Sequence, residues 1–133
     1  MSQQDRPTVT RQVDLDVDAE DVWEALVADE ERAGWLGGPT RIDVVPGGRG
    51  FVTDPDGTRR DVLVDEVVPR RRLTLDWWTD TGVPSHVEFD IATTERGSRL
   101  TVTERPLVPM AQARAAVPAA EGLVAHLHLR CRA

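Results

Sequence analysis

Two charged residues stand where the strand pattern of the chain places apolar ones. Glu104 follows Val102 at a spacing of two, and Arg11 precedes Val13 in the same way. Alternate residues of a strand share one face, so both charges are predicted on the face that is buried. An unpaired charge there is costly. A structural explanation is that Arg11 and Glu104 form an ion pair, or that the strand end lies in solvent. A functional explanation is that Glu104 anchors a ligand or acts as a general acid or base. Both stay open.

The other reactive side chains show no pattern typical of catalysis or metal binding. His126 and His128 are two residues apart, so a helix points them in different directions, and His86 is predicted in solvent on an outer strand face. Cys131 has no ligand partners at zinc spacing and no pattern for nucleophilic catalysis. The glycine-rich segment 47–50 lacks the lysine of a phosphate loop. The sequence therefore predicts no metal, no cofactor and no catalytic residue.

Charge and composition exclude several classes of protein. The chain has 133 residues and a net charge of −7, which argues against nucleic-acid binding. The arginine groups at 59–60 and 70–72 are interpreted as solvated hairpin ends. No stretch approaches the roughly 20 apolar residues of a membrane span, and the N-terminus lacks the features of a signal peptide. We therefore expect a cytoplasmic protein with one domain over residues 8–132, after a flexible segment 1–7.

The elements that would position these residues follow from periodicity. Residues 8–17 alternate as a half-buried strand. Asp18 is placed to cap a first helix, and Asp29 to cap a second, short helix that ends before Gly37. Turn residues then separate further strands, predicted at 41–45, 50–53, 60–68, 72–78, 85–92 and 98–104.

Short loops between these strands predict an antiparallel meander with one wet and one buried face. The side chains predicted to point to water are Thr74, Asp76, Glu88, Asp90, Thr101 and Thr103. A C-terminal helix is predicted to cover the other face. Its apolar stripe at helical spacing consists of Ala120, Val124, Leu127 and Cys131.

This order of elements resembles the START-like, or SRPBCC, superfamily, and within it the branch named for the activator of the Hsp90 ATPase. The matching segments are 13–26, Trp35-Leu36-Gly37-Gly38, 67–73 with Trp77-Trp78, 97–104, and Glu121-Gly122-Leu123. The family often has tryptophan where this chain has Leu123. The resemblance implies an α+β helix-grip fold. Such a fold is a curved antiparallel sheet of about six to seven strands, with two short helices after strand one and a C-terminal helix packed over the sheet.

The superfamily implies a cavity between sheet and terminal helix that holds lipids, polyketides or other apolar molecules. We therefore expect binding, carriage or sequestration of a small apolar ligand without catalysis. A polyketide cyclase- or dehydratase-like enzyme and a chaperone-contacting module are the alternatives, and a homodimer is left open. The residues expected to contact the ligand are Trp35, Phe51, Trp77, Phe89, Leu100, Leu123 and Leu127, with Glu104 or Arg11 as the polar handle.

Overall fold

Two short helices follow the first strand, and seven strands form one sheet. The computed structural model describes residues 8–36, 38–80 and 82–107, apart from the side chains of residues 35 and 36. In chain order the elements are β1 (Val9–Leu15), α1 (Ala19–Val27), α2 (Asp29–Leu36), β2 (Arg41–Ile42), β3 (Arg49–Thr53), β4 (Arg59–Val68), β5 (Arg72–Trp78), β6 (Ser85–Thr94) and β7 (Gly97–Pro106). This confirms the predicted order. The predicted C-terminal helix lies outside the described residues.

The sheet is antiparallel throughout, with the strand order β1-β7-β6-β5-β4-β3-β2. Short turns join β2 to β7 as a meander, because neighbouring antiparallel strands need only a tight connection. The first strand pairs with the last, with Val9 opposite Glu104 and Leu15 opposite Ser98. The curved sheet and the two helices after β1 are those of a helix-grip fold.

One side of the sheet, here called the inner face, carries the core. Residues directly opposite each other on neighbouring strands share a face, and Leu75 lies opposite both Val64 and Val87. Helix α1 contacts β6 and β7 and adds its own buried residues to this core. The buried apolar side chains are Leu15, Val22, Ala25, Leu26, Ile42, Val52, Val62, Val64, Leu73, Leu75, Trp77, Val87, Phe89, Ile91, Leu100 and Val102.

The two helices begin differently. Asp18 caps α1 as predicted, since its Oδ1 accepts a hydrogen bond from the backbone N–H of Asp21 at 3.1 Å. The prediction that Asp29 caps α2 is wrong, because the helix begins at Asp29 itself. The Asp29 carboxylate instead accepts hydrogen bonds from the Arg32 guanidinium and from the backbone N–H of Ile42. It therefore ties α2 to β2.

The outer face is less exposed to solvent than strict alternation predicts. Thr74 was expected in solvent, but it is buried at the point where β4 has a bulge between Val64 and Glu66. Its Oγ1 accepts from the Glu66 N–H at 3.0 Å and donates to Asp65 Oδ2 at 3.2 Å. The bulge places the Glu66 backbone N–H and the Asp65 carboxylate over the Thr74 side chain and thereby excludes solvent from it.

His86 faces outward as predicted, but the prediction of a solvated side chain is wrong. Its Nδ1 lies 2.8 Å from Asp76 Oδ1, and its Nε2 lies 3.6 Å from Glu88 Oε2. Only 14% of the side chain is exposed. The cause is cross-strand pairing, because Asp76 stands directly opposite His86 on β5.

Arg32 is a buried cation that joins both helices to the β2–β3 edge. Its Nη1 donates to the Leu26 carbonyl at 2.7 Å, and its Nε donates to Thr40 Oγ1 at 2.8 Å. Thr40 in turn donates to the Phe51 carbonyl at 3.1 Å. With the Asp29 ion pair, the buried guanidinium is held by three separate parts of the chain.

Replacing this cation should weaken the fold. Arg32→Met leaves the Leu26 carbonyl and the Thr40 hydroxyl without their charged donor, so we expect the free energy of unfolding to fall by about 2–3 kcal/mol. Urea denaturation measures this change. Arg59→Met is the matched control, because the Arg59 side chain is 65% exposed and its ion pair should contribute less than about 1 kcal/mol. Equal losses in the two variants would contradict the structural role of Arg32.

Candidate functional site

Four polar side chains cross one end of the inner face, and we call them the polar row: Asp54, Arg60, Trp77 and Glu104. Asp54 directly follows β3, Arg60 lies at the start of β4, and Trp77 and Glu104 lie near the ends of β5 and β7. In an antiparallel meander the end of one strand lies beside the start of the next, so these positions fall at the same end of the sheet. The row therefore forms a polar margin on a mainly apolar face, which also buries Ser85 opposite Trp77 and Ser98 opposite Leu15.

Glu104 is buried on the inner face, as its alternation with Val102 predicts. Its side chain stands opposite Val9 and Val87, and the residue is 4% exposed. Trp77 Nε1 donates a hydrogen bond to Glu104 Oε2 at 2.9 Å. Strand β6 lies between the two residues, so the indole and the glutamate side chain together bridge about 10 Å of sheet.

Arg60 extends the row from the indole towards β3. Its guanidinium carbon lies 5.6 Å from the centroid of the Trp77 ring, and its Nε donates to Asp54 Oδ2 at 2.9 Å. The interpretation of Arg60 as a solvated hairpin end is wrong, because the residue pairs with Val52 on the inner face. Only 12% of its side chain is exposed. The neighbouring Arg59 does point to solvent.

Asp54 is held in place by the β3–β4 hairpin. Its backbone N–H donates to the Thr58 carbonyl at 2.7 Å, and its carbonyl accepts from Gly57 at 2.8 Å. Gly57 has a φ of 93°, a conformation that glycine adopts without strain. The Asp54 carboxylate is buried: Oδ2 accepts from Arg60, and the second oxygen, Oδ1, has no hydrogen-bond partner.

Burial raises the pKa of the Asp54 carboxyl. The Arg60 guanidinium opposes this rise, whereas the charges of Asp56 and Glu104 add to it. A buried carboxyl whose proton is held more tightly than usual can bind a polar group or transfer a proton.

Arg11 and Phe51 are not buried on the inner face beside Trp77. Arg11 stands opposite Val102, but its side chain is exposed, and its Nη1 donates to the Thr10 carbonyl at 2.9 Å. Phe51 is on the outer face, because it pairs with Asp61 and is adjacent to the inward Val52. The prediction that Phe51 lines the same cavity as Trp77 is therefore wrong.

Phe51 lies instead beside a separate cleft of about 470 Å³. The Arg59 guanidinium covers its ring at 4.2 Å. The residues that line this cleft are Asp29, Arg41, Ile42, Asp43, Arg49, Gly50 and Phe51. It is open and mixed in charge.

The structure brings Trp77, Phe89, Leu100 and Glu104 onto one buried face. Phe89 lies opposite Leu73 and Val102, and Leu100 lies opposite Ile91. All four are buried. Three further predicted contacts, the Trp35 side chain, Leu123 and Leu127, lie outside the described part of the chain.

Two members of the polar row, Asp54 and Arg60, were not among the predicted site residues. A signal for them was present in the sequence, because Asp54 lies two residues after Val52 and Arg60 lies two residues before Val62. Alternate residues of a strand lie on one face, so both polar residues share the face of a valine. Both lie next to the turn segment 55–58, where exposed polar residues are the rule. The turn composition therefore concealed the inward direction of the two side chains.

None of the helices in the described residues is long and apolar enough to cross a membrane. No curated protein matched this chain in sequence. Many solved structures do share its fold. Protein MLL2253 from Mesorhizobium loti is 19% identical, with a TM-score of 0.76 over 93% of this chain and 96% of the other.

Two more solved structures have a comparable structural similarity to the chain. A protein from Rhizobium leguminosarum is 21% identical, with a TM-score of 0.73 over 95% of this chain and 94% of the other. DynU16, a protein in the dynemicin biosynthetic locus, is 25% identical, with a TM-score of 0.74 over 92% of this chain and 46% of its own.

The family comparison covers nearly the whole chain. The family described as "Activator of Hsp90 ATPase homolog 1-like protein" matches residues 16–129, a span that includes the helices α1 and α2, the strands β2 to β7 and three members of the polar row on those strands. Together with the helix-grip sheet, this match shows that the chain belongs to the activator of Hsp90 ATPase homolog 1-like family, within the START-like superfamily of ligand-binding folds.

Proposed function

We propose that this chain binds a small, largely apolar molecule between the inner face of its sheet and its C-terminal segment, and carries or sequesters it without reaction. The observation that carries this proposal is the polar row at the margin of an apolar inner face. Binding sites for small molecules combine an apolar lining with a few precisely placed polar groups. Trp77, Phe89 and Leu100 supply the lining, and the row supplies the polar groups.

The row supports an anchoring role because its members hold one another in place. Arg60 is bonded to Asp54 and stacked near Trp77, and Trp77 is bonded to Glu104. Side chains fixed in this way lose little conformational entropy when a ligand binds. A preorganised margin gives orientation to a molecule whose affinity comes from apolar contact.

A cyclase- or dehydratase-like reaction is the second candidate. Such chemistry needs at least two converging polar groups, and the row brings Asp54 and Glu104 to the same end of the inner face. A buried carboxyl is a suitable general acid or base. Incubating the protein with its ligand and recording the ligand mass over time separates the candidates, because a carrier returns the molecule unchanged.

Native mass spectrometry of the purified protein, compared with the same sample under denaturing conditions, tests the binding proposal. We expect a retained small-molecule mass or saturable binding of the uncharged apolar dye N-phenyl-1-naphthylamine. Leu75→Trp places an indole on the inner face and should lower dye affinity about tenfold, because the added volume occupies ligand space. Leu63→Trp, opposite Arg49 and Asp76 on the outer face, is the control.

A clean apo mass with no dye binding would overturn the proposal. It would indicate that the inner face is a filled core, and the chaperone-contacting module would become the better explanation. Circular dichroism of both tryptophan variants shows whether each remains folded. A Leu75→Trp protein that is folded and binds the dye as well as the wild type would also contradict the proposed location.

The anchoring role of Glu104 can be tested by removing its charge. Glu104→Gln keeps an oxygen that accepts from Trp77, so the fold should be retained, whereas a charge-assisted bond to the ligand is lost. We expect the dissociation constant of the retained ligand to rise about tenfold. Glu66→Gln on the outer face, where the side chain is 52% exposed, should leave it unchanged. Unchanged affinity in Glu104→Gln would remove this residue from the site.

The raised pKa of Asp54 predicts a pH dependence of stability. The folded protein holds this proton to a higher pH than the unfolded chain, whose carboxyl titrates near about pH 4. The contribution of Asp54 to stability therefore falls as the pH rises from about 4 through the folded pKa. The free energy of unfolding of wild type minus that of Asp54→Asn should decrease between about pH 4 and pH 7 in urea titrations.

Asp56 provides a control of opposite sign. Its carboxylate accepts from the backbone N–H of Thr58 at 2.9 Å, and this bond lowers its pKa. The contribution of Asp56 to stability is present above about pH 4 and is lost on acidification. The difference between wild type and Asp56→Asn should therefore shrink as the pH falls below about 4. If the Asp54 difference instead grows with rising pH, the ion pair with Arg60 dominates over burial.

A further inference from the structure

The two oxygens of Asp54 have different surroundings. Oδ2 accepts from Arg60 Nε at 2.9 Å. Oδ1 is buried, and no group of the described residues donates to it; the residue as a whole is 7% exposed. A buried acceptor without a donor is costly, so such atoms are rare, and this one points to a partner beyond the described residues.

Asp54 belongs to the inner face and is part of the ligand margin. Its partner Arg60 stacks near Trp77, and its carboxyl senses the charge of Glu104. The hairpin hydrogen bonds from Asp54 N–H to Thr58 and from Gly57 N–H to Asp54 fix its backbone. The side chain is therefore anchored on both sides, and Oδ1 cannot turn to Arg60 without releasing Oδ2.

We propose that the polar end of the ligand is a hydrogen-bond donor, a hydroxyl or an amine N–H, which binds Oδ1 of Asp54. This inference rests on the proposed function, since it specifies the chemistry of the molecule held on the inner face. The row contains two carboxylates and one guanidinium, and that guanidinium is already bonded to Asp54. A donor satisfies the open acceptor, whereas an anionic ligand would meet the carboxylates of Asp54 and Glu104.

Three naphthalene probes of matched size distinguish the possible polar ends. 2-Naphthol donates a hydrogen bond, 2-methoxynaphthalene only accepts, and 2-naphthoate is an anion. At about pH 7.5, above the ordinary carboxyl range, wild type should bind 2-naphthol about tenfold more tightly than 2-methoxynaphthalene and should bind 2-naphthoate most weakly. Fluorescence titration measures all three dissociation constants. This comparison needs no variant.

Asp54→Asn should change the preference. Arg60 can only donate, so the amide oxygen of the new side chain must face it, and the NH₂ group takes the position of Oδ1. The open acceptor becomes a donor. We expect the tenfold preference for 2-naphthol to fall below about threefold or to reverse in favour of 2-methoxynaphthalene. Asp56→Asn removes the same charge from the same turn and should keep the wild-type preference.

The outcomes separate the inference from the function on which it rests. If wild type binds the probes without preferring the donor, or if folded Asp54→Asn keeps the preference, the inference is overturned and apolar binding stands. If none of the three probes binds to wild type, both the proposed function and the inference are overturned. A preference that reverses in Asp54→Asn alone supports both.

Discussion

The inner face of the sheet has to exclude water along all of its strands, and the register of the strands follows from that requirement. On β7, Val102 lies between Arg11 of β1 and Phe89 of β6, while Thr101 and Thr103 face outward. A slip of one residue would bury the threonines and expose the valine. The register that keeps Val102 inside also turns Glu104 inward. The buried carboxylate is thus a consequence of the packing of the strand that carries it.

A carboxylate in that position requires donors, and the sheet supplies one from two strands away. The indole of Trp77 crosses β6 to reach Glu104. Its ring also lies near the guanidinium of Arg60, which is bonded to Asp54. Each member of the row thereby satisfies its neighbour, and polar groups linked in this way reinforce one another in a low dielectric. At the Oδ1 atom of Asp54 this chain of contacts ends, because no donor to it lies in the described part of the chain.

This arrangement explains how a widespread fold acquires a particular chemistry. The helix-grip sheet is shared with structures about 19–25% identical to this chain. Fold alone therefore gives a face on which a ligand can bind, and the side chains at its margin decide which ligand. Here the margin holds acceptors and a cation that is already engaged, set against an apolar surface. On this basis we propose an amphipathic molecule with a donating end rather than a fatty anion.

Local signals in the sequence determined the elements, their order and the faces of the strands. The cap at Asp18, the turn residues between strands and the alternation through β5 to β7 act over a few residues, so they can be read along the chain. The inward position of Glu104 followed from the same alternation. Short loops between the strands predicted the antiparallel meander, and the family resemblance implied a curved sheet of about six to seven strands.

Only the tertiary structure decided which polar side chains meet. Asp54 and Glu104 are fifty positions apart in sequence, and the row that joins them depends on the hairpin that brings Arg60 beside Asp54 and on the reach of one indole across β6. Arg11 has the same alternation as Glu104 yet ends in solvent at the edge strand β1, and Phe51 faces away because Val52 takes the inner position. Alternation fixes the face of a residue, whereas burial and contact depend on what the rest of the chain places above it.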